Sequence, residues 1–368
     1  MADRWWLGLA VLVACGGGAS ATPVETPHPV ASATPSTPPA SEPKRPGVLQ
    51  LALGDFHSCA LLADHTVACW GRNRGGELGD GTTEDRHTPT AVKGLSGVEQ
   101  IALGSNFSCA RTSDKKVLCW GTGRLFSPQS IATKTTPELV PNVVDVVEIA
   151  AGGYMACARA SSGAVTCWGL EKKAAGEPKT AATIVAAAAH GCAKLTTGAV
   201  RCFGDGPWSD GKGAFSNPGL SSVDAVSTGD GFACAVSGGT VACWGRNDSG
   251  ELGTEADFDD HKKPVTVPNV RAVQRISSAE SHTCVVLQSG TVECWGDNSE
   301  SELGRGTQTT GEAPASVPGL AGVVEVVVGT DHVCARTAAD VFCWGNNRAG
   351  QLGDGSTERR SSPTKVHF

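Results

Sequence analysis

Much that a nucleic-acid binder, a metalloprotein or a common hydrolase would need is missing from this chain. No basic tract interrupts a sequence of 368 residues with a net charge of -7 and a pI near 5.7. Phosphate backbones are held by clustered Lys and Arg, so nucleic acid is set aside as a partner. There is no nucleophile elbow, no His-Glu-x-x-His run and no candidate triad. The cysteines never take the close Cys-x-x-Cys spacing that converges thiolates on zinc, so neither a metal nor any other cofactor is expected. Helix-forming runs are few, and there is a single tyrosine. The apolar run 5–13 is too short to span a bilayer.

What the chain has in quantity is glycine, forty-seven of them, and cysteine in pairs. Frequent glycine with few helical runs points to an all-β chain rich in turns. The clearest unit is 282–296, two short stretches rich in β-branched residues around a Gly-containing turn, each with one cysteine. A hairpin centred on Ser289 puts Cys284 opposite Cys294, with loop 288–290 ending on a left-handed Gly290. Counting out from that turn places the cysteines at a non-hydrogen-bonded pair, where opposed side chains are closest and a disulfide spans the strands.

The unit recurs seven times, as Cys59 with Cys69, Cys109 with Cys119, Cys157 with Cys167, Cys192 with Cys202, Cys234 with Cys243, Cys284 with Cys294, and Cys334 with Cys343. Each second cysteine precedes an aromatic, Trp70, Trp120, Trp168, Phe203, Trp244, Trp295 or Trp344, and then a glycine. Spacing of ten in five units predicts three-residue loops that end on Gly163, Gly198, Gly290, His65 or Lys115. Spacing of nine leaves two-residue loops, 238–239 and 338–339; two glycines suit a primed turn there and two alanines suit it badly. The cysteines stay opposed in both cases, which is hard to explain unless they bond. Each clip closes roughly eleven residues and contributes on the order of 2 to 3 kcal/mol in the chain-entropy model. Such bridges need an oxidising compartment.

Each unit opens on an apolar strand (48–53, 98–103, 144–150, 323–328) and closes on a Pro-headed one (89–92, 363–366), giving about four strands per unit. First cysteines are spaced 50, 48, 35, 42, 50 and 50 apart, a period that suits a propeller blade. The last strand ends at Phe368, so a whole number of units is expected to close into a ring. The reading is an all-β, seven-bladed β-propeller over 48–368, expected to act as a monomer.

Before it, residues 1–15 carry a short charged head and an apolar run that ends in Leu12-Val13-Ala14-Cys15, which resembles a bacterial lipoprotein signal with Cys15 as the lipidated residue. Cys15 is also the one cysteine outside the pairs. Residues 16–47, rich in Pro, Thr, Ser and Ala, read as a disordered tether. At ~3 Å per residue it could reach on the order of 100 Å. The expected location is the bacterial cell envelope by lipid anchor only, on the outer membrane if the source is Gram-negative.

The residues 54–60, 69–71 and 350–355 spell a pattern of Gly, two variable residues, His, Cys-Ala, later Cys-Trp-Gly and Gly-Gln-Leu-Gly-Asp-Gly. It resembles the regulator of chromosome condensation repeat, and the resemblance implies a seven-bladed propeller. It does not by itself imply the guanine-nucleotide exchange that some eukaryotic members perform. The turn motif stands at 76–79, 250–253, 302–304 and 350–353, while units two to four lack it. Outer-loop drift explains that simply; a specialised sector is the sharper alternative, with Phe126, Trp208 and Phe215 in the irregular connections.

His57, His190, His282 and His332 precede first cysteines by two residues and are expected to be structural, hydrogen-bonded within their blades. Asp80-Gly81 and Asp354-Gly355 read as turns rather than calcium loops, and 206–212 as a chance imitation of a phosphate loop. The best binding candidates are the connections between the innermost strand and the hairpin, expected to ring one mouth of the central channel: Asp55, Phe56, Asn106, Tyr154, Asp230, Glu280 and Asp331. The function expected is non-catalytic binding of a protein or cell-surface polymer. Alternatives are a hydrolase or lyase using rim carboxylates or histidines, then guanine-nucleotide exchange, with a purely structural envelope role behind them.

Overall fold

The computed structural model describes residues 47–127, 130–169, 178–204 and 218–368. Cys15, the signal and the tether, together with Trp208, Phe215 and the 206–212 stretch, lie outside the described residues. Those described form a seven-bladed β-propeller of antiparallel sheets, each made from consecutive strands. Blade one runs from Val48–Leu53 to Arg86–Ala91, blade two from Val98–Leu103 to Ala132–Leu139, and blade five from Ala225–Thr228 to His261–Thr266. Blade six runs from Val273–Ala279 to Glu312–Ser316 and blade seven from Val323–Val328 to Arg360–Lys365. Blades three (Val146–Gly152, Met155–Ala160, Val165–Trp168) and four (Ala181–Ala186, His190–Leu195, Val200–Gly204) have three described strands each.

The hairpins take the register that the turns dictate. Cys284 faces Cys294, Gly290 has φ 77°, and its amide donates to the Leu287 carbonyl at 2.9 Å. His65 and Lys115 hold the same left-handed place at φ 62° and 61°. Gly238 and Gly239, at φ 55° and 76°, make the primed turn. Ala338 and Ala339 do not adopt positive φ; the Thr337 hydroxyl holds that turn instead, accepting from the Asp340 amide at 3.0 Å. All seven disulfides form within their own blades, with Cα–Cα distances of 3.9 to 4.1 Å, as expected of close non-hydrogen-bonded pairs.

The closing strands begin earlier than expected. Proline does not head them: Pro89 sits inside Arg86–Ala91, where Gly71 pairs with Arg86 and Cys69 with Thr90. Two extra residues bulge out between those pairs, so Pro89 withholds no ladder donor. In blade three the innermost strand starts two residues later, at Val146.

The first strands line the channel, and the ring shuts by face packing of blade seven on blade one with no shared sheet. The Leu51 amide donates to Glu325 Oε2 at 3.2 Å, Thr330 Oγ1 to Asp55 Oδ1 at 2.8 Å, and Trp70 Nε1 to the Gln351 carbonyl at 2.9 Å. The same tryptophan bond joins other neighbours. Trp120 donates to Glu77 O at 2.7 Å, Trp295 to Glu251 O at 2.9 Å, and Trp344 to Glu302 O at 2.6 Å. The recurring Leu-Gly turn of one blade thus latches the indole of the next. Asn73, Asn247, Asn298 and Asn347 brace these turns by accepting from Leu78, Leu252, Leu303 and Leu352 amides.

The histidines also act between blades rather than within them, which corrects the expectation. Ser108 donates its hydroxyl to Glu77 O, so His57 Nε2, 2.9 Å from that hydroxyl, must be the donor to it. His332 stands in the same relation to Ser58, and His190 to Thr228. Blade seven carries Val333 where Ser58 and Ser108 stand, and buried His282 Nε2 finds no partner among the described residues.

Candidate functional site

At one end of the channel the innermost strands turn outward, and their turn residues form a mouth enclosing about 310 Å³. Backbones come close there: a Cβ on Gly54 would meet Gly104 O at 2.4 Å, and one on Gly104 would meet Gly153 O at 2.6 Å. Glycine at these turns therefore sets how narrow the mouth can be. The loops are also tied sideways, Ser105 N to Gly153 O at 2.7 Å and Asp230 N to Glu280 O at 2.8 Å.

Each loop contributes two variable residues, and they do different things. The first of each pair lines the mouth: Asp55, Ser105, Gly153, Ala188, Asp230, Glu280 and Thr330. The second does not line it, except Tyr154, which also reaches the mouth. Four of the seven sequence candidates, Asp55, Tyr154, Asp230 and Glu280, are therefore brought together. Phe56, Asn106 and Asp331 are not. Phe56 lies under the Arg72 guanidinium, 4.6 Å from its ring centroid, and Asn106 Oδ1 accepts from the same Arg72. Asp331 pairs with Asn346, whose amide donates to its carbonyl at 2.8 Å. Ser105 and Thr330, which share the predicted rim connections with Asn106 and Asp331, line the mouth in their place.

The charge is one-sided. Asp230 and Glu280 of blades five and six and Asp55 of blade one stand opposite Ser105, Gly153, Ala187 and Ala188 of blades two to four. Desolvation in the mouth, then Asp230 and Asp55, push the exposed Glu280 carboxyl above the usual range. Asp331 is raised in the same way, by burial and then by Glu300 and Asp55. Glu280 also holds φ at 40°, in the left-handed region. Beside the neutral half, a mainly apolar groove of about 290 Å³ opens between blades two and three, and Tyr154 belongs to both. No group of three or more His, Cys, Asp or Glu is placed to hold a metal ion among the described residues.

A family model described as the Regulator of chromosome condensation (RCC1) repeat matches residues 64–111, 238–286, 289–336 and 339–368. A second model of that description matches 48–77, 273–302 and 323–351. Neither includes 112–237, which holds most of blades two to four. E3 ubiquitin-protein ligase HERC2 of Homo sapiens is 33% identical over 124 residues, 32% of this chain and 2% of that protein. The Regulator of chromosome condensation of Mus musculus is 36% identical over 101 residues, 27% of this chain and 24% of that one. The matched part spans at most about a quarter of the length of either relative. Among solved structures, Prp20p from Saccharomyces cerevisiae, described with its binding properties to Gsp1p and histones, superposes with a TM-score of 0.72 at 18% identity over 88% of each chain. Human WBSCR16 superposes with a TM-score of 0.69 at 19% identity, covering 81% of this chain and 93% of that one. At such identities the likeness is one of fold.

Proposed function

Since the chain belongs to the regulator of chromosome condensation repeat family, a propeller used for protein interaction or nucleotide exchange, we propose that it is an exported, lipid-anchored binding module whose channel mouth captures a protein without catalysis. The observation that carries this is the mouth itself, where side chains from seven blades meet and carboxylates collect on one half. Carboxylates held close at a partly desolvated site gain most from a cationic partner. Prp20p, the fold relative, is described as binding proteins, Gsp1p and histones, which favours a protein over a polymer. Seven buried disulfides support an oxidising compartment, and lipidation at Cys15 would keep the propeller at the cell envelope. Nucleotide exchange fits poorly with export, because a GTPase is not expected outside the cytoplasm.

A hydrolase or lyase reading retains one supporting feature, the raised proton affinity of Glu280 beside Asp230. His57 and His332 are engaged elsewhere, in hydrogen bonds buried between blades. Purified chain screened against hydrolase and lyase substrates, with Glu280→Gln as control, decides between the readings.

The test of binding is photocrosslinking in the native cells. A crosslinker at Ser105 is expected to trap a discrete protein adduct, and one at Ser289, on a hairpin turn at the other end of the blades, is not. Equal yields from both positions would contradict the mouth as the binding surface.

A further inference from the structure

The apolar groove beside the acidic mouth extends the proposed binding role, and its own role depends on that one. Its floor and walls are Phe107, Gly123, Ile131, Tyr154 and Gly169. Ile131 is 65% exposed and Tyr154 61%, so two large apolar side chains stand in solvent at one groove. Desolvating them favours a ligand with apolar bulk at about 25 cal/mol per Å². Tyr154 forms part of the groove and part of the mouth. A ligand in one therefore enters the other without leaving the surface.

We propose that this face binds an extended peptide that sets one bulky apolar side chain in the groove between blades two and three and one Lys or Arg among Asp55, Asp230 and Glu280. Charge complementarity fixes the direction. The three carboxylates stand across the mouth from Tyr154, so the cation falls on that side and the apolar side chain on the groove side. Polysaccharides in general lack a bulky apolar group next to a cation, so a polypeptide is the better match. The one-sidedness also gives a place to the irregular blades: they supply the apolar half of the site, and the regular blades supply the charge.

The experiment uses fluorescein-labelled eight-residue peptides in which one Phe and one Lys are separated by one to four Gly or Ser residues, titrated against the folded chain by anisotropy. One spacing is expected to bind at least tenfold more tightly than its own Phe→Ala and Lys→Gln versions. Tyr154→Ala with Ile131→Ser should erase the preference for Phe and keep that for Lys; Glu280→Gln with Asp230→Asn should do the reverse. Peptides that bind at no spacing, or preferences that both double variants leave intact, overturn the proposal. So does a peptidoglycan fragment that competes for wild type and for the groove variant alike. If peptides fail while Ser105 still crosslinks a native protein, only this inference falls. If crosslinking fails as well, the reading of the mouth falls with it.

Discussion

Glu302 occupies the same place in its blade as Glu77, Glu251 and Gln351, and in each the side chain accepts from a backbone amide two residues upstream. Burial raises all three carboxyls, and Arg72 and Arg246 partly offset it for Glu77 and Glu251. Asp297 stands where those arginines do, so Glu302 is pushed up to about 8. A folded-state value above the unfolded one means that the native state binds the extra proton. The stability is present below about pH 4.5, declines as pH rises, and is gone above about 8. Glu302→Gln, the residue blade seven already uses, should therefore stabilise the chain by roughly 2 to 4 kcal/mol at pH 9 and hardly at pH 4. Urea titrations at the two pH values check this, and an equal effect at both would refute it. The buried histidines work with the opposite sign. His57 and His332 are lowered to about 3 and His282 to about 4 by burial, so stability is lost as pH falls from 6.5 through those values. His332→Asn should flatten that acid decline in a pH series of thermal midpoints. None of this was legible in the sequence, because the decisive neighbours of Glu302 and of the histidines only meet in the folded ring.

At the scale of elements, the Leu-Gly turn and the tryptophan explain each other. Units two to four lack the turn, and the indoles that would receive it, Trp168 and Trp244, have no hydrogen-bond partner among the described residues. The blade after the turnless third unit carries Phe203 instead, an aromatic with no N–H to satisfy. Among the described residues, the missing turns and the unbonded indoles therefore fall together. Trp344→Phe should cost on the order of 1 to 3 kcal/mol more than Trp244→Phe in denaturant titration, since both empty a similar volume but, among the described residues, only Trp344 has an indole bond to lose. Equal costs would refute the latch. The hairpins were legible down to Gly290 and His65, because turn length, strand period and cysteine spacing are local. The turn-to-indole bonds join residues more than forty positions apart, and no local pattern announces them.

The described residues from 47 onward form a ring of self-contained sheets, each clipped by its own disulfide and joined to its neighbours by side-chain bonds. Peptide mapping without reductant is expected to find seven bridges, all within blades; replacing Cys284 and Cys294 with Ala should cost roughly 2 to 3 kcal/mol and leave the ring closed. Blade count was legible because seven pairs recur with aromatics and glycines in step. The site was legible in part: loop position picked out Asp55, Tyr154, Asp230 and Glu280, whereas Phe56, Asn106 and Asp331 share those loops without lining the mouth. The groove was not legible, since Phe107, Ile131 and Tyr154 meet only where blades two and three abut. Binding at the acidic mouth is tested most directly by the affinity of the chain for the protein crosslinked through Ser105, compared with that of the Asp230→Asn, Glu280→Gln variant. A loss of at least tenfold, shrinking as salt rises and with the thermal midpoint unchanged, is expected; equal affinity in the two proteins would contradict it.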